Sequence, residues 1–416
     1  MRQAFSCSLL EAQPGSLAEL RRCLESWRID CRPAALAGPV PSAGAEPDLL
    51  LLELTAEASA AAGAALAARR ASGRPTLALC RAGEDKALSA AVALGVDDVL
   101  TIPLDEAELR RRLELLVAMG ELAAERRRRA TLFAPYLARS RNHAAPDPLD
   151  SVPRPVVALL GEPDPVQVQM VAALPPAELV YLESATPLAA MLQRGAVDLL
   201  LVTRPKQIAA ALEAVDHAGG WAPMLLAAHA GPPTLDQLPP QIDLLPLPVP
   251  TLLARQRLTL ALRVGGLRRW LRAPPLDGSA SLLLDALTGL YNQGAFLDYL
   301  RAAGGDAALV ALEFDQLDEL NALAGYATGD LALAQLGAQL RRALRAEDFA
   351  AHLGGGRFAV AVSGAGAKQL ERLRRRLQLE VGQDLLAGAE PLPIRGAPAQ
   401  RLARLFGELR RLRPAA

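Results

Sequence analysis

The 416-residue chain is poor in lysine. Only Lys86, Lys206 and Lys368 occur among its 45 basic residues, and the rest are arginine. With alanine abundant, this bias follows from a GC-rich coding composition, so generic arginine runs say little about chemistry. Neither sign of charge is in excess: 45 basic residues balance 45 acidic ones. The global balance therefore points to neither a nucleic-acid partner nor an anionic membrane surface. The four cysteines, Cys7, Cys23, Cys31 and Cys80, form no CxxC pair and have no histidine at metal-ligand spacing, which excludes a zinc ribbon or a disulfide scaffold. Burial as small apolar side chains in a reducing cytosol is expected of them. The histidines, His143, His217, His229 and His352, are scattered and receive no role. Long apolar runs are also missing. Leu49–Leu52 and Leu199–Val202 suit buried strands and fall far short of the about 20 residues a membrane helix needs. The N-terminal stretch has no signal-peptide core, so a cytoplasmic protein without membrane insertion is expected.

What is present is a globular composition, 51% apolar and 22% charged, in a chain long enough for several cores. Residues 1–138 alternate short apolar runs (SCSLLEA, PDLLLLEL, PTLALC, DDVLTIP) with helical stretches. The last of these is the long pattern DEAELRRRLELLVAMGELAAERRRRATLFAPYL. Such alternation predicts a parallel sheet covered on both faces. Residues 139–153, rich in Pro, Asp and Ser, read as a linker. Residues 154–272 repeat the plan, with strand candidates PVVALLGE, ELVYLES, VDLLLVT, PMLLAAH and IDLLPLP and a closing helix TLLARQRLTLALRVGGLRRWL. The duplication suggests two copies of one domain. Residues 275–416 form a third segment, in which LVALEF and RFAVAV flank a long helix, DLALAQLGAQLRRALRAED, with a hairpin around GGG.

Three motifs follow one another in that third segment. DALTGLYNQGAF spans 285–296, LVALEFDQLDELNALAGYATGD spans 309–330 and HLGGGRFAVAV spans 352–362. They resemble the DxLTGLxNRRxF, LxxLDIDxFKxINDxxGHxxGD and RYGGDEFxxxL stretches of GGDEF domains. In this order and spacing they make a specific signal, where one alone would be weak. The resemblance covers roughly 285–380 and implies a nucleotidyl-cyclase-like α/β fold. The family's closing strand and helix are barely recognisable in RLARLFGELRRLRPAA.

Active GGDEF domains join two GTP molecules into cyclic di-GMP. A 3′-hydroxyl attacks an α-phosphorus, and divalent metal neutralises the phosphates. By this resemblance the first metal carboxylate is Glu313, but the second position is Gly356, which has no side chain. Arg357 replaces the following Glu, and Asp318 replaces a family lysine. Hard cations need oxygen ligands, so no metal, no cofactor and no cyclase activity are expected. Gly354 and Gly355 keep the hairpin turn. Asn321 and Asp330 match the family's guanine-recognising pair. Two readings stay open: they still hold GTP in a dead site, or they cap the starts of two helices.

Arg345-Ala346-Glu347-Asp348 stands at the spacing of the family's RxxD inhibitory site, which binds cyclic di-GMP. A guanidinium gives two parallel hydrogen bonds to guanine O6 and N7, and a carboxylate accepts from N1 and N2. Arg376, or its neighbour Arg375 after a one-residue slip, matches a further arginine of that site. The alternative is an incidental i,i+3 surface ion pair at a helix end.

The first segment resembles a response-regulator receiver domain, a flavodoxin-like five-stranded parallel fold. Glu53 stands at its phosphoacceptor position, Ile102 replaces the lysine, Cys80 the Ser/Thr, and Glu11 alone remains of the acidic pair. Glu53 is expected to be a partly exposed strand-end carboxylate with no obvious partner, and is not expected to be phosphorylated. In the second segment Thr203 falls at the acceptor position and Leu247 at the lysine position, as in a receiver-like adaptor. The order receiver, receiver-like, GGDEF is that of PleD-type regulators of two-component signalling. A dead hairpin with a present RxxD resembles PopA-type cyclic di-GMP effectors. That resemblance implies a homodimer through the receiver pair and control of unidentified protein partners in cell-cycle-related signalling. A ligand-free scaffold and a residual cyclase are the alternatives.

Overall fold

The computed structural model describes residues 5–36, 47–55, 62–63, 66–67, 73–140, 154–217, 224–228, 242–273, 280–304, 307–363, 367–381, 385–390 and 397–411. The predicted linker 139–153 lies almost wholly outside them, as do His143 and His229. The chain divides into two compact units. One is Met1–Ala124 with Val152–Arg269, the other Glu125–Ser151 with Trp270–Ala416.

The first unit holds two all-parallel five-stranded sheets. In the first sheet β1 (Ser6–Glu11), β2 (Asp30–Ala35), β3 (Leu49–Glu53), β4 (Thr76–Arg81) and β5 (Asp98–Ile102) lie in the order β2-β1-β3-β4-β5. β6 (Val156–Leu160), β7 (Glu178–Leu182), β8 (Leu199–Val202), β9 (Met224–Ala228) and β10 (Ile242–Pro246) repeat that order as β10-β9-β8-β6-β7. This is a doubly wound order. Leu49–Leu52 and Leu199–Val202 are central and fully buried, as continuous apolar runs in parallel sheets are. β2 is the strand the sequence hid. DCRPAA has no large apolar side chain, is largely exposed, and carries Pro33, which an edge strand tolerates because one side of its ladder is unpaired. The helices are α1 (Ala18–Ser26), α2 (Asp85–Ala93), α3 (Glu106–Ser140), α4 (Pro165–Ala173), α5 (Ala185–Gln193), α6 (Ile208–His217) and α7 (Thr251–Arg272).

The internal duplication is also visible in how the two sheets meet. Asp98 and Asp243 occupy equivalent places in β5 and β10, and Arg112 and Arg257 equivalent places in α3 and α7. Arg112 pairs with Asp243 of the other repeat and, at 3.5 Å, with Asp98 of its own. Arg257 reciprocates, with Nε 3.4 Å from Asp98 and Nη2 2.6 Å from Glu108. The preceding residues cross as well: Arg111 donates to Ile242 O at 2.9 Å, and Gln256 to Asp97 O at 3.1 Å. Both arginines are buried. Burial pulls the Arg112 pKa down, but Asp243 and Asp98 outweigh it and leave it raised.

The second unit is built on an antiparallel four-stranded sheet, β12-β13-β11-β14. Its strands are β11 (Ala307–Phe314), β12 (Phe349–His352), β13 (Arg357–Ser363) and β14 (Leu385–Glu390). Its helices are α8 (Ala280–Leu283), α9 (Gln293–Ala303), α10 (Leu317–Ala324), α11 (Tyr326–Ala343), α12 (Ala367–Val381) and α13 (Pro398–Arg411). One sheet face packs Leu309 and Ala311 against α9 and α13, through Phe296, Tyr299, Leu402, Leu405 and Phe406. The other packs Val310, Leu312 and Val360 against α11 and α12. The C-terminal stretch that is barely recognisable in sequence therefore supplies a sheet-covering helix, and β14 pairs antiparallel with β11. The last part of α3 also belongs here: Phe133 is fully buried in this core, its ring 5.7 Å from that of Tyr291. Among the described residues no helix is long and apolar enough to cross a membrane.

Candidate functional site

The hairpin between β12 and β13 turns on Gly354 (φ +92°) and Gly355 (φ +59°), backbone conformations that favour glycine. Gly356 is needed for another reason. Its carbonyl accepts from Phe314 N–H at 2.7 Å, and a Cβ there would fall 2.6 Å from Phe314 O. The turn is thus drawn onto the end of β11. His352 fixes it from below: Nε2 lies 2.8 Å from Gly355 O, Nδ1 3.1 Å from Asp285 Oδ1, and the ring stacks on Phe358 at 4.8 Å. Burial pulls the Asp285 pKa up, but the Thr288 hydroxyl and amide, with His352, outweigh it and hold it below the usual carboxylate range.

Glu313, at the end of β11, is buried and pairs across the ladder with Arg357. The Arg357 guanidinium lies 5.9 Å from the centre of the Phe406 ring. Among the described residues no cluster of three or more His, Cys, Asp or Glu could hold a metal. Gly356 has no side-chain oxygen to offer a cation.

Asn321 and Asp330 do not cap helices, which removes that alternative. Asn321 lies inside α10, and Asp330 lies more than a turn inside α11, which starts at Tyr326 behind Gly325. The helix begins earlier than DLALAQLGAQL suggests because Gly325 (φ +86°) breaks the two helices. The Asn321 amide oxygen is buried without a hydrogen-bond partner and points at Gly329, where any Cβ would collide with it. Asp330 is exposed beside it, as are Leu323, Tyr326 and Leu331.

The RxxD residues occupy the turn from α11 into β12. Asp348 is buried, and its Oδ2 accepts from the Arg345 N–H at 2.9 Å. This is a carboxylate closing its own loop, not the surface ion pair of the alternative reading. Arg345 is exposed. Arg376, on α12, donates to Ala343 O beneath the same turn. Burial and Glu347 push the Asp348 pKa up to about 6, against the pull of the Arg345 amide and of the Arg345 and Arg376 charges. The fold thus gathers Arg345, Asp348 and Arg376 at one corner. Arg375 is not gathered there: it is exposed and pairs with Glu371 at 2.9 Å, as does Arg374 at 2.7 Å.

One contributor escaped the sequence reading. Arg129 on α3 is fully buried and donates to Glu347 O (2.9 Å), Asp348 O (3.1 Å) and Leu271 O (2.9 Å), with Nε on Glu125 at 2.7 Å. It stands in the run Arg126–Arg129, which composition alone made uninformative.

Glu53 and Thr203, at strand ends of the first unit, are both buried. Glu53 is buried, not partly exposed, and has partners: the Ser16 hydroxyl, the Ala12 amide at 3.1 Å and the Arg81 guanidinium at 3.3 Å. Glu11 accepts from the Gly15 and Leu17 amides. Thr203 donates to Asp164 Oδ2 at 2.6 Å, and Asp164 also caps α4.

Residues 282–387 match the family description "Diguanylate cyclase, GGDEF domain". This stretch is a GGDEF domain. The chain is 31% identical over 105 residues to a probable diguanylate cyclase, DgcJ, of Escherichia coli, covering 23% of this chain and 21% of that one. It is 36% identical over 109 residues to the diguanylate cyclase DgcP of Pseudomonas aeruginosa, covering 24% and 16%. The chain thus spans about a fifth or less of those relatives' length. Among solved structures, the GGDEF domain of DgcB from Caulobacter crescentus in complex with c-di-GMP is 24% identical. It covers 31% of this chain and 88% of that one, with a TM-score of 0.29.

Proposed function

We propose that the protein is a cyclic di-GMP effector: a GGDEF domain without cyclase activity that binds the dinucleotide at Arg345, Asp348 and Arg376 and regulates protein partners. The observation that carries this reading is the convergence of those three side chains on one turn, with the carboxylate buried at a pKa near 6. A buried carboxylate with a raised pKa beside two arginines is a feature that ligand sites share. Arg345 is free to lie flat on a guanine edge, and Arg376 adds positive charge for a phosphate. Gly356, packed against Phe314, supports the loss of cyclase chemistry.

On this reading the two five-stranded repeats are degenerate receiver-like modules in the order of PleD-type regulators, and the chain resembles PopA-type effectors. Their closed acceptor positions favour ligand control over phosphorylation. The faces carrying Asp98, Arg112, Asp243 and Arg257 already meet within one chain, so a homodimer uses other receiver surfaces. The protein is read as cytoplasmic.

Calorimetric titration of cyclic di-GMP into the full chain and into Arg345→Ala tests the proposal. Binding at micromolar Kd or tighter, about −8 kcal/mol, is expected for the wild type and not the variant. No binding to either leaves a ligand-free scaffold. Product from GTP with Mg²⁺ or Mn²⁺ would overturn the inactive reading.

A second reading concerns GTP. The buried, unpartnered amide oxygen of Asn321 beside Asp330 favours a retained guanine pocket, because a nucleobase donor would satisfy it. Saturable binding of GTP without turnover, weakened by Asn321→Ala, is the expected result.

A further inference from the structure

Arg129 has an unusual set of partners for a helix side chain. Its guanidinium is buried among four oxygens: one carboxylate on its own helix, two successive carbonyls of the RxxD turn, and the carbonyl of Leu271 in the last turn of α7. It also lies over the Phe349 ring at 5.2 Å. Burial lowers its pKa, but the Glu125 charge outweighs this, so the side chain stays a cation. Glu125 is itself held by Arg128 at 2.8 Å and the Tyr299 hydroxyl at 3.0 Å. The planar fork of an arginine carries five N–H donors in fixed directions, so it can serve oxygens on several sides at once.

The two carbonyls belong to Glu347 and Asp348, inside the Arg345–Asp348 turn. That turn is therefore bonded from two sides: Asp348 Oδ2 closes it internally, and Arg129 holds its backbone to α3 and α7. α3 and α7 are also the helices by which the two repeats lead on into the chain. We infer that Arg129 is the positioning residue of this turn, and that it transmits the turn's state to α3 and the end of α7. The ligand that would trigger the transmission rests on the function proposed above; the mechanical linkage does not. When the turn orders around a ligand, its carbonyls hold the guanidinium more tightly and α3 opens less often. When the turn loosens, the helix loses two of its anchors.

Hydrogen–deuterium exchange on the full chain tests this, read at residues 126–137 and 344–349. In wild type, cyclic di-GMP is expected to slow exchange in both stretches. In Arg129→Gln it is expected to slow exchange only in 344–349. Slowing at 126–137 in Arg129→Gln equal to wild type, or none there in wild type that binds the ligand, overturns the inference. A ligand-free arm separates this from failure of the cyclic di-GMP reading. Asp348→Ala should speed exchange at 126–137 about tenfold, as local opening becomes easier, and the effect should vanish when Arg129 is already Gln. An equal effect in both backgrounds, or none in wild type, refutes the linkage whatever the ligand. If Arg129→Gln does not fold, Arg129→Lys replaces it. It keeps the charge beside Glu125, but one ammonium cannot reach all three carbonyls, so partial uncoupling is expected and full wild-type coupling would count against the inference.

Discussion

Asp348 is a side chain whose chemistry and fold pull in opposite directions. Its folded pKa near 6 lies above the ordinary value of 3.8, because burial and Glu347 disfavour the charge. The folded protein therefore binds this proton more tightly than the unfolded chain does. The group's contribution to stability is fully present below about pH 3.8 and is lost as pH rises through 6. Ligand binding runs the other way, since only the carboxylate accepts from guanine N1 and N2. Cyclic di-GMP affinity is expected to fall as pH drops from 7 through 6. Asp348→Asn should raise the thermal midpoint at pH 7.5 while abolishing binding, which paired melting and calorimetry would show. An unchanged or lowered midpoint would mean that the charge is well tolerated. Gly356 gives a second prediction at this scale. Restoring aspartate there forces Cβ against Phe314 O. Gly356→Asp is expected to destabilise by about 1–3 kcal/mol, the range for inserting atoms into a filled space, and to yield no turnover of GTP. Denaturant unfolding and a product assay check both halves.

Among the elements, α3 carries the most unexpected load, because its last turns complete the core of the second unit. Phe133→Ala is expected to cost about 3–5 kcal/mol, as for other buried phenylalanines, in a transition reported by amides of 307–363. A loss below 1 kcal/mol would show that the site collapses without penalty. The strands were largely legible before the structure, because parallel strands buried on both faces read as plain apolar runs such as LLLL and LLLV. β2 was not legible, since DCRPAA owes its strand geometry to β1 beside it and not to its own pattern. The start of α11 was misplaced for a related reason: a glycine at positive φ, not the acidic residue after it, sets the boundary. In the candidate site, Arg345, Asp348 and Arg376 were legible because the motif spacing locates them. Arg129 was not, since nothing along the sequence says that one arginine in a run of four turns inward. The partners of Glu53 were missed similarly, because Ser16 and Arg81 come to it only through the sheet.

At the scale of the molecule, the first unit carries a quasi-symmetric pairing between its repeats. Arg112 and Arg257 exchange partners with Asp243 and Asp98; both arginines and Asp98 are buried, and Asp243 is half-buried. Pairs of this kind add little net stability when intact but leave an uncompensated charge when broken. Arg112→Ala is therefore expected to destabilise the first unit by about 3–5 kcal/mol. Asp243→Asn in the same chain should recover part of that loss, in urea unfolding followed by circular dichroism. Independent, additive losses would show that the two side chains do not act as a pair.

The place of residues 125–140 in the second unit has a consequence for how the chain is made. A ribosome delivers this stretch, with Phe133, well before any of the sheet it will cover. Between them comes the whole second repeat, so at about 5–20 residues per second the exposed phenylalanine waits on the order of ten seconds for its partners. During that interval the nascent helix presents an apolar stripe with no home, a natural binding place for a chaperone. Translation slowed anywhere between Ser140 and the end of that sheet would lengthen the exposure, and slowing before α3 would not.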